Sequence, residues 1–502
     1  MTDRPHVLGI DIGTSGARVL VVDHASGEVI RTATSEYGSI SPHAGWSEQQ
    51  PRDWWSGCCS AIRQALAGSE ISGESIAAIG LSGQMHGLVL MDDNDSVLRP
   101  AILWNDQRTA DECELMHETI GLQRLIEITG KPAMTGFTAP KILWVKRHEP
   151  KIYARSRHVL LPKDYVRWCL SGVHSIDVAD ASGTSLLDLE QRDWSNELVS
   201  GLDLDAQWLP PVAESVDVTA EVSRSAAAET GLRPGTPIVA GAGDQAAGGI
   251  GCGIGDESVI SLNLGTSGVV FAARDARPHD PSGALHAYCH AMPGTWHVMG
   301  VMLSAGGSLR WYRDTFEGAE ASAYDRIIQG ARGVSPGCDG LSFLPYLTGE
   351  RTPHADPHAR GAFTGISNQH ERGHFARAVL EGVLFGLRDG LDLVQADGQA
   401  VDRIRMTGGG ARSDFWRQMA ADVFDLPIYT VNVTDGSAYG AALLALVGSG
   451  HFPDITEAMK TCVRETGETT PSPDARVYGD IHAAWRDLYP ALAPTFTRHD
   501  DS

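Results

Sequence analysis

The feature that most constrains the fold of this 502-residue chain is a short pattern that occurs twice. Residues 6–23, HVLGIDIGTSGARVLVVD, return in altered form as residues 257–275, ESVISLNLGTSGVVFAARD. Each copy has an apolar run, one polar residue, the sequence Gly-Thr-Ser-Gly and a second apolar run, which predicts a β-hairpin. A repeat at half the chain length is too long for a solenoid and indicates a duplicated domain.

The segments that follow each hairpin have similar patterns. In the first half, residues 75–83 and 87–92 are predicted strands, and helical periodicity follows in 109–129 and 139–150. In the second half the pattern predicts a helix, a strand and two more helices, at 375–394, 403–410, 413–424 and 436–450. The glycine-rich stretch 241–255 is the best candidate for the joint between the halves.

The charge balance excludes several classes of partner. The chain has 63 acidic and 40 basic residues, a net charge of −23, which repels nucleic acid and anionic membranes. No stretch approaches 18 apolar residues, and the N-terminus lacks the apolar core of a signal peptide. The eight cysteines form no C-x-x-C motif, which favours reduced thiols. These features predict a cytoplasmic enzyme that binds neither nucleic acid nor membrane.

The two hairpins differ at one position that carries charge. The polar residue before the turn is Asp11 in the first copy and Asn263 in the second. A Gly-Thr-Ser-Gly turn presents backbone N–H groups and hydroxyls to one point, which suits phosphate. Two such turns across a cleft would bind a polyphosphate, and one carboxylate would suffice to hold a divalent cation. The alternative is that both turns serve backbone geometry alone; their recurrence with an Asp/Asn difference favours the phosphate interpretation.

Several other signals fail on inspection. The chain has no G-x-x-x-x-G-K-[ST], so it is not a P-loop kinase, and the glycines of 248–255 do not complete a dinucleotide motif. His286 and His290 are four residues apart, the spacing of metal ligands on one helix face. Because no Glu or third His is in register, they are interpreted as structural.

At family level, the chain resembles the sugar kinase, hsp70 and actin superfamily and, within it, the xylulokinase branch of the FGGY carbohydrate kinase family. The similarity extends from about residue 7 to about residue 450. The stretches that carry it are GIDIGTSGARVLVVD (9–23), GWSEQQPRDWW (45–55), GLSGQMHG (80–87), RPAILWNDQR (99–108), GFTAPKILWVKRHEP (136–150), LPKDYVRW (161–168), GAGDQAAG (241–248), LNLGTSGVVF (262–271), FLPYLTGERTPH (343–354), GAFTGISNQHERGHFARAVLEGV (361–383) and TGGGARSDFWRQMAAD (407–422).

The resemblance implies an α/β protein of two ribonuclease H-like domains, each with a five-stranded mixed sheet flanked by helices, and a catalytic cleft between them. Residues 1–250 would bind the sugar and supply the base, and residues 251–502 would bind the nucleotide. The implied reaction is transfer of phosphate from ATP, with Mg²⁺, to a pentulose, with D-xylulose favoured. The family also suggests a homodimer.

Asp244, in GAGDQAAG, is the candidate catalytic base. A carboxylate is costly to bury among small residues without a purpose, and one aspartate can both accept a hydroxyl proton and align the oxygen. A lone aspartate among glycines is more often a turn residue, but this position matches the general base of the family. Gln245 departs from the xylulokinase pattern, which has Asn there, and Asp-Gln resembles glycerol kinases instead.

The resemblance implies that two further segments line the sugar site. In QMHG, Met85 would pack on the carbon chain and His86 would donate to a ketose hydroxyl. In LWNDQR, Trp104 would form a flat wall, and Asn105 and Asp106 would provide hydrogen-bonding groups. From the residues alone, a Met-His pair is more often core packing than ligand binding.

The nucleotide and metal residues follow from the same resemblance. Glycines in TGGGARS would let adenine lie against the backbone at Gly409 and Gly410, and Ser413 can cap the next helix. Asp11 and Asp244 would hold Mg²⁺. The turn residues would approach the phosphates, namely Thr14, Ser15, Gly265, Thr266 and Ser267.

Two rival functions stay open at the level of sequence. One is a kinase of another polyol or ketose, such as ribulose, glycerol or erythrulose, on the same fold. The other is a non-catalytic ATPase switch similar to actin or hsp70, which would hydrolyse ATP without a sugar. The residues at positions 85, 86 and 104–106 argue against the switch, because a switch needs no polyol site.

Overall fold

A computed structural model describes residues 4–68, 71–318, 320, 322–396 and 398–496. The strands of the first half are β1 (His6–Ile12), β2 (Gly16–Asp23), β3 (Val29–Glu36), β4 (Glu48–Gln49), β5 (Ile76–Gly83), β6 (Val89–Met91), β7 (Ala101–Ile102), β8 (His158–Leu160), β9 (Ile176–Asp177), β10 (Leu187–Asp188), β11 (Asp193–Trp194), β12 (Val212–Ala213), β13 (Val218–Glu221), β14 (Pro237–Val239) and β15 (Ala242–Gly243). Its helices are α1 (Pro51–Leu66), α2 (Ala110–Met116), α3 (Leu122–Thr129), α4 (Thr138–His148), α5 (Pro150–Arg155), α6 (Pro162–Ser171), α7 (Val178–Ser182), α8 (Asn196–Gly201), α9 (Arg224–Thr230) and α10 (Asp244–Gly251).

The strands of the second half are β16 (Val259–Leu264), β17 (Gly268–Arg274), β18 (His286–Cys289), β19 (Trp296–Met302), β20 (Ser342–Leu344), β21 (Ala362–Thr364), β22 (Arg403–Thr407), β23 (Ile428–Val431) and β24 (Glu465–Thr469). Its helices are α11 (Gly306–Tyr312), α12 (Ala323–Arg332), α13 (Arg372–Gln395), α14 (Asp414–Phe424), α15 (Gly436–Gly448), α16 (Ile455–Cys462), α17 (Ala475–Arg486) and α18 (Leu488–Phe496). Both predicted hairpins are confirmed as β1–β2 and β16–β17.

The two main sheets share one topology. The first has the order β13-β14-β5-β1-β2-β3, with β15 also paired to β5, and the second has the order β18-β19-β17-β16-β22-β23-β24. In each, the hairpin and the next strand are antiparallel, whereas the first hairpin strand pairs in parallel with β5 or β22. The duplication predicted from the hairpins therefore extends beyond them to most of each sheet, whereas β15 and β18 have no counterpart in the other sheet.

The predicted strand number is wrong, because each main sheet has seven strands rather than five. Five central strands match between the two sheets, and both sheets add a further antiparallel strand, β13 or β24. The sequence VTAE of β13 and the sequence ETGET of β24 are polar, and β15 is two residues long. Such short or polar strands lack the apolar alternation by which strands are predicted.

Helix α15 joins the two halves. Although it lies late in the sequence, it packs on β1 and β5 of the first sheet and on α10. The approach is close enough that a Cβ atom on Gly80 of β5 would lie 1.9 Å from the carbonyl oxygen of Ala441. The predicted boundary at 250/251 stays a prediction, and the packing of α15 shows that the first sheet is covered by residues from beyond it.

The core and the cysteines agree with the compositional expectations. Helix α13 is the longest helix, and most of its side chains are buried in the core of the second half. All eight cysteines are free thiols. Among the described residues, no helix is both long enough and apolar enough to pass through a lipid bilayer.

Candidate active site

Asp11 lies near the end of β1, and its side chain lines the cavity between the two sheets. The parallel register places it beside Ser82 of β5, whose hydroxyl donates a hydrogen bond to Asp11 Oδ1 (2.7 Å). Burial raises the pKa of Asp11, while the bond from Ser82 and the charge of Arg18 act in the opposite direction. The equivalent pair in the second sheet is Asn263 and Thr407, which are also in register.

Asp244 reaches the same place from the neighbouring strand. Strand β15 pairs with Ser82 and Gly83 of β5, and Asp244 then opens helix α10. Its carboxylate accepts a hydrogen bond from the side-chain amide of Gln245 (3.3 Å), and its backbone carbonyl accepts one from Ser437 of α15 (3.0 Å). Burial, and then the nearby charge of Asp11, raise the pKa of Asp244 to about 7.

Both hairpins line one cavity of about 380 Å³ between the two sheets. Asp11, Ser15, Asp244 and Gln245 enter it from the first half, and Asn263 enters it from the second. The sequence prediction had assigned these residues to a single cleft. Two carboxylates at the wall of one cavity repel each other. A divalent cation such as Mg²⁺, which prefers oxygen ligands, would relieve this repulsion by binding to both.

An ion pair that the sequence analysis missed lies at the wall of this cavity. Arg18 of β2 binds the carboxylate of Asp435, the residue before α15, and both line the cavity. Sequence reasoning could have indicated Arg18, since the register of the hairpin places it directly opposite Asp11. It could not have indicated Asp435, because this residue comes from a distant part of the chain.

Five of the eight predicted nucleotide residues line a second cavity of about 770 Å³, whereas Ser15 lines the first cavity and Thr14 and Ser267 line neither. The five are Gly265 and Thr266 of the second hairpin turn and Gly409, Gly410 and Ser413 of the glycine-rich loop. Ser267 completes the same hairpin turn. Because Asn263 and Gly408 line the first cavity while their chain neighbours line the second, the cavities meet at this turn.

Two features shape the glycine-rich loop. Gly408 has φ 83°, and a Cβ atom there would lie 2.5 Å from the carbonyl oxygen of Leu264, so only glycine fits. By contrast, a Cβ atom on Gly409 would meet no protein atom within 4 Å. Ser413 caps α14 by accepting a hydrogen bond from the backbone of Trp416 (3.2 Å), as its position predicts.

The Met85-His86 turn lies beside Asp244. Met85 is buried against Gly243, the residue before the candidate base. His86 has φ 68° and is buried, and its Nδ1 donates to the carbonyl of Gly183 (2.7 Å). Burial and then the charge of Lys141 hold the pKa of His86 well below its usual value. The neutral ring therefore keeps a lone pair on Nε2, which can accept a hydrogen bond but has no proton to donate.

The indole of Trp104 is tied to the first hairpin turn. Its Nε1 donates to the hydroxyl of Thr14 (3.0 Å), and that hydroxyl donates to Gln84 (3.3 Å). Gln49 extends this network, because its amide donates to the backbone carbonyl of Thr14 (2.7 Å) and its carbonyl accepts from Gln84 (2.9 Å). The hydroxyl of Thr14 is therefore engaged by Trp104 and Gln84, and Thr14 is not among the residues that line either cavity.

The other two candidate residues of LWNDQR, Asn105 and Asp106, differ in exposure. Asn105 is exposed. Asp106 is fully buried, and its carboxylate accepts from the guanidinium of Arg108 (2.7 and 2.9 Å) and from the backbone of Ser47 (2.6 Å). Both of its oxygens are occupied, so in this conformation Asp106 fixes the loop that carries Trp104.

A buried charge cluster next to the site was also missed. Lys163 of α6 forms ion pairs with Asp164 and with Asp177 (2.8 Å) and lies 3.8 Å from Asp180. All four side chains are fully inaccessible to solvent. Burial raises the pKa of Asp180 well above its usual value, despite the opposing charge of Lys163. The stretch LPKDYVRW carried the family resemblance, but pattern reasoning gave no partner for its lysine.

Comparisons with known proteins agree with this geometry. Residues 6–251 match the N-terminal domain, and residues 260–449 the C-terminal domain, of the FGGY family of carbohydrate kinases. The chain is 40% identical to the xylulose kinase of Escherichia coli (97% and 99% of the two chains covered) and 38% identical to that of Bacillus subtilis (96% of each). It superposes on the crystal structure of a xyloylose kinase from Brucella ovis with a TM-score of 0.90 and 38% identity, covering 98% and 100% of the two chains. Two matched domains that share a cleft, with relatives aligned over nearly their full length, identify this chain as a member of the FGGY family of carbohydrate kinases.

Proposed function

We propose that this protein catalyses the ATP-dependent phosphorylation of D-xylulose to D-xylulose 5-phosphate. The observation that carries the proposal is Asp244, a carboxylate with a pKa of about 7, at the wall of a cavity that both hairpins line. A general base works best when its pKa lies near the working pH. The choice of xylulose rests on the relatives, since the chain is 38–40% identical, over nearly its full length, to xylulose kinases from several bacteria.

In the proposed reaction, Asp244 accepts the proton of the primary hydroxyl as that oxygen attacks the γ-phosphorus of ATP. The bond from phosphorus to the bridging oxygen breaks, and ADP leaves. Asp11 and Asp244 would hold Mg²⁺, which when bound neutralises phosphate charge. The backbone of the turns at Thr14–Ser15 and Gly265–Ser267 would donate hydrogen bonds to phosphate oxygens.

The arrangement of the two cavities supports transfer of the γ-phosphate from ATP to the sugar. Adenosine would occupy the larger cavity along Gly409 and Gly410, and the phosphates would pass the second hairpin turn into the smaller one. There the γ-phosphate would meet Asp244, with the sugar on the far side against Met85, His86 and the indole wall. Closure of the two domains on the sugar would keep water from the phosphate.

On the sugar side, His86 Nε2 would accept a hydrogen bond from a ketose hydroxyl. Trp104 would provide the apolar wall, and Asn105 and Gln245 would provide amides that both donate and accept. Asp106 would act through the loop that it fixes. We expect the reaction to take place in the cytoplasm, where ATP and Mg²⁺ are supplied, and the homodimer stays a prediction.

The decisive experiment measures ADP release over a panel of sugars with saturating ATP and Mg²⁺. D-xylulose is expected to give the highest kcat/KM, with ribulose, erythrulose and glycerol well below it. ATP turnover that does not depend on added sugar would refute a sugar kinase. A preference for glycerol would instead indicate that Gln245, the residue that departs from the xylulokinase pattern, sets the acceptor.

A further inference from the structure

Three polar side chains from separate segments meet on the first half of the molecule, away from the cleft. Asp95 lies in the turn that follows β6, His158 begins β8, and His174 lies between α6 and β9. The pairing of β6 with β8 places His158 opposite Met91, close to the turn. Asp95 itself has φ 56°, a left-handed conformation in which the turn presents its side chain to the two imidazoles.

The three ligand-type atoms have the spacing of a metal site. Asp95 Oδ1 lies 3.0 Å from His174 Nε2 and 3.9 Å from His158 Nε2, and the ligand atoms of all three residues lie within 4.8 Å of one another. A tetrahedral zinc ion with bonds of about 2.0–2.2 Å separates its ligand atoms by roughly 3.3–3.6 Å. The observed distances bracket that value, so small side-chain rotations would complete the site.

The closest pair of atoms lies at the centre of the cluster. Asp95 Oδ1 and His174 Nε2 are 3.0 Å apart, and both are shielded from solvent. The two imidazole rings lie with centroids 4.1 Å apart, and the indole of Trp168 stacks on His174 at 6.1 Å. A carboxylate oxygen and two imidazole nitrogens that converge in this way are suited to share one cation in place of the proton between Asp95 and His174.

We propose that Asp95, His158 and His174 form a binding site for one divalent first-row transition ion, of the Zn²⁺, Co²⁺ or Ni²⁺ class. Two imidazole nitrogens and one carboxylate oxygen suit these ions, whereas Mg²⁺ prefers oxygen ligands alone. Three protein ligands leave a coordination position for water. The site is separate from sugar phosphorylation, because the ion joins three segments that line neither cavity of the cleft.

Among the described residues, one other group of possible metal ligands has comparable spacing, but arginine side chains bind its carboxylates. Asp389 and Asp392 lie near His482 on α13 and α17. There Arg486 lies 3.4 Å from Asp389 and 3.7 Å from Asp392, and Arg388 also binds Asp392 (2.8 Å). Two guanidinium groups already neutralise those carboxylates and would repel a metal ion. That cluster therefore serves as a natural negative comparison.

The test is a calorimetric titration of the untagged, chelator-treated full-length protein with Zn²⁺ in the presence of saturating Mg²⁺. One equivalent should bind with a Kd below the micromolar protein concentration used. His158→Ala and His174→Ala should each weaken binding at least about tenfold, the effect that even loss of an outer-sphere partner has. The matched control is His451→Ala, which removes one imidazole from another histidine pair, that of His24 and His451, whose ring centroids lie 3.7 Å apart. This variant should leave zinc binding unchanged.

A second measurement does not depend on the folding of any variant. Zn²⁺ soaked into crystals of the native protein should give an anomalous difference peak between the side chains of Asp95, His158 and His174. Zinc should also raise the Tm of the native protein but not that of His174→Ala, since a ligand that binds only the folded state stabilises it. The absence of a bound equivalent, or an anomalous peak elsewhere, would overturn the proposal.

Discussion

The two hairpins have one fold but different supports. The first turn is held mainly by side chains, since Trp104 and Gln84 bind the hydroxyl of Thr14 and Gln49 binds its carbonyl, and one backbone N–H, that of Tyr37, also reaches the carbonyl of Ser15. The second turn is held mainly by backbone, since its carbonyls accept from the N–H groups of residues 305–307 at the start of α11, and the one long side-chain bond is from Arg310 to the hydroxyl of Thr266 (3.5 Å). The first hairpin is thus coupled to the proposed sugar wall and the second to the proposed nucleotide cavity. A duplicated element therefore has different neighbours in the two halves of the molecule.

The difference in charge between Asp11 and Asn263 also corresponds to a difference in their neighbours. Asp11 lies beside Ser82 and near Asp244, whereas Asn263 lies against the glycine-rich loop, with Oδ1 2.8 Å from where a Cβ on Gly408 would be. A carboxylate is useful where a cation and a base act together. At the second turn it would face phosphates without a partner and repel them. The comparison therefore predicts that exchanges at these positions are not equivalent.

The largest effect is expected for Asp244→Asn. The amide preserves shape but cannot accept a proton, and loss of a general base typically lowers the rate about 10²- to 10⁴-fold. The fold should persist, because a neutral amide is less costly to bury than a carboxylate. Calorimetry should show retained sugar binding while kcat for xylulose falls. Near-normal turnover in a well-folded variant would remove Asp244 from the mechanism.

The next effect is expected for Asp11→Asn, which converts the first hairpin to the pattern of the second. Loss of a charged ligand should lower kcat and weaken the apparent Mg²⁺ affinity at least about tenfold. The measurement is the initial rate as a function of free Mg²⁺ at saturating sugar and ATP. Unchanged Mg²⁺ dependence would show that the asymmetry between the hairpins does not concern the metal.

The reciprocal change, Asn263→Asp, should harm the enzyme in a different way. The added charge would lie between the two cavities, where the phosphates pass, and should raise the KM for ATP more than it lowers the apparent Mg²⁺ affinity. Higher ionic strength should not relieve it fully, because a partly buried charge is screened little. The control is Asn263→Ala, which removes the amide without adding charge. Equal kinetics for the two variants would contradict an electrostatic effect.

A smaller and more selective effect is expected for Gly409→Val. Because a Cβ atom at this position meets no protein atom within 4 Å, the added side chain should crowd the ligand and not the fold. The KM for ATP should rise while that for xylulose changes little, and His86→Ala should show the opposite selectivity. Melting curves that overlay the native one would confirm an intact fold. Unchanged ATP binding by calorimetry would exclude this loop as the nucleotide site.

Sequence reasoning reached those parts of the site that local patterns determine. The hairpin repeat and its turn singled out Asp11, whereas for Asp244 the cost of burial was only a hint and the family resemblance carried the prediction. It could not find the pairing of Arg18 with Asp435, because α15 crosses to the other sheet, a contact that no local pattern encodes. The charges around Lys163 were hidden for the same reason, since Asp177 and Asp180 lie beyond the end of α6.

The smallest expected effect concerns the pH profile. Burial and then the charge of Asp11 raise the pKa of Asp244 to about 7, so the base is partly protonated near neutrality. At low Mg²⁺, kcat/KM should rise with pH as Asp244 loses its proton. In Asp11→Asn the midpoint should move to lower pH, because the neighbouring negative charge that favours the protonated form is gone. Added Mg²⁺ should move the native midpoint in the same direction, since a cation favours the carboxylate. A midpoint that is independent of both the substitution and Mg²⁺ would mean that Asp11 and Asp244 do not interact, and the single carboxylate of the first hairpin would need another explanation.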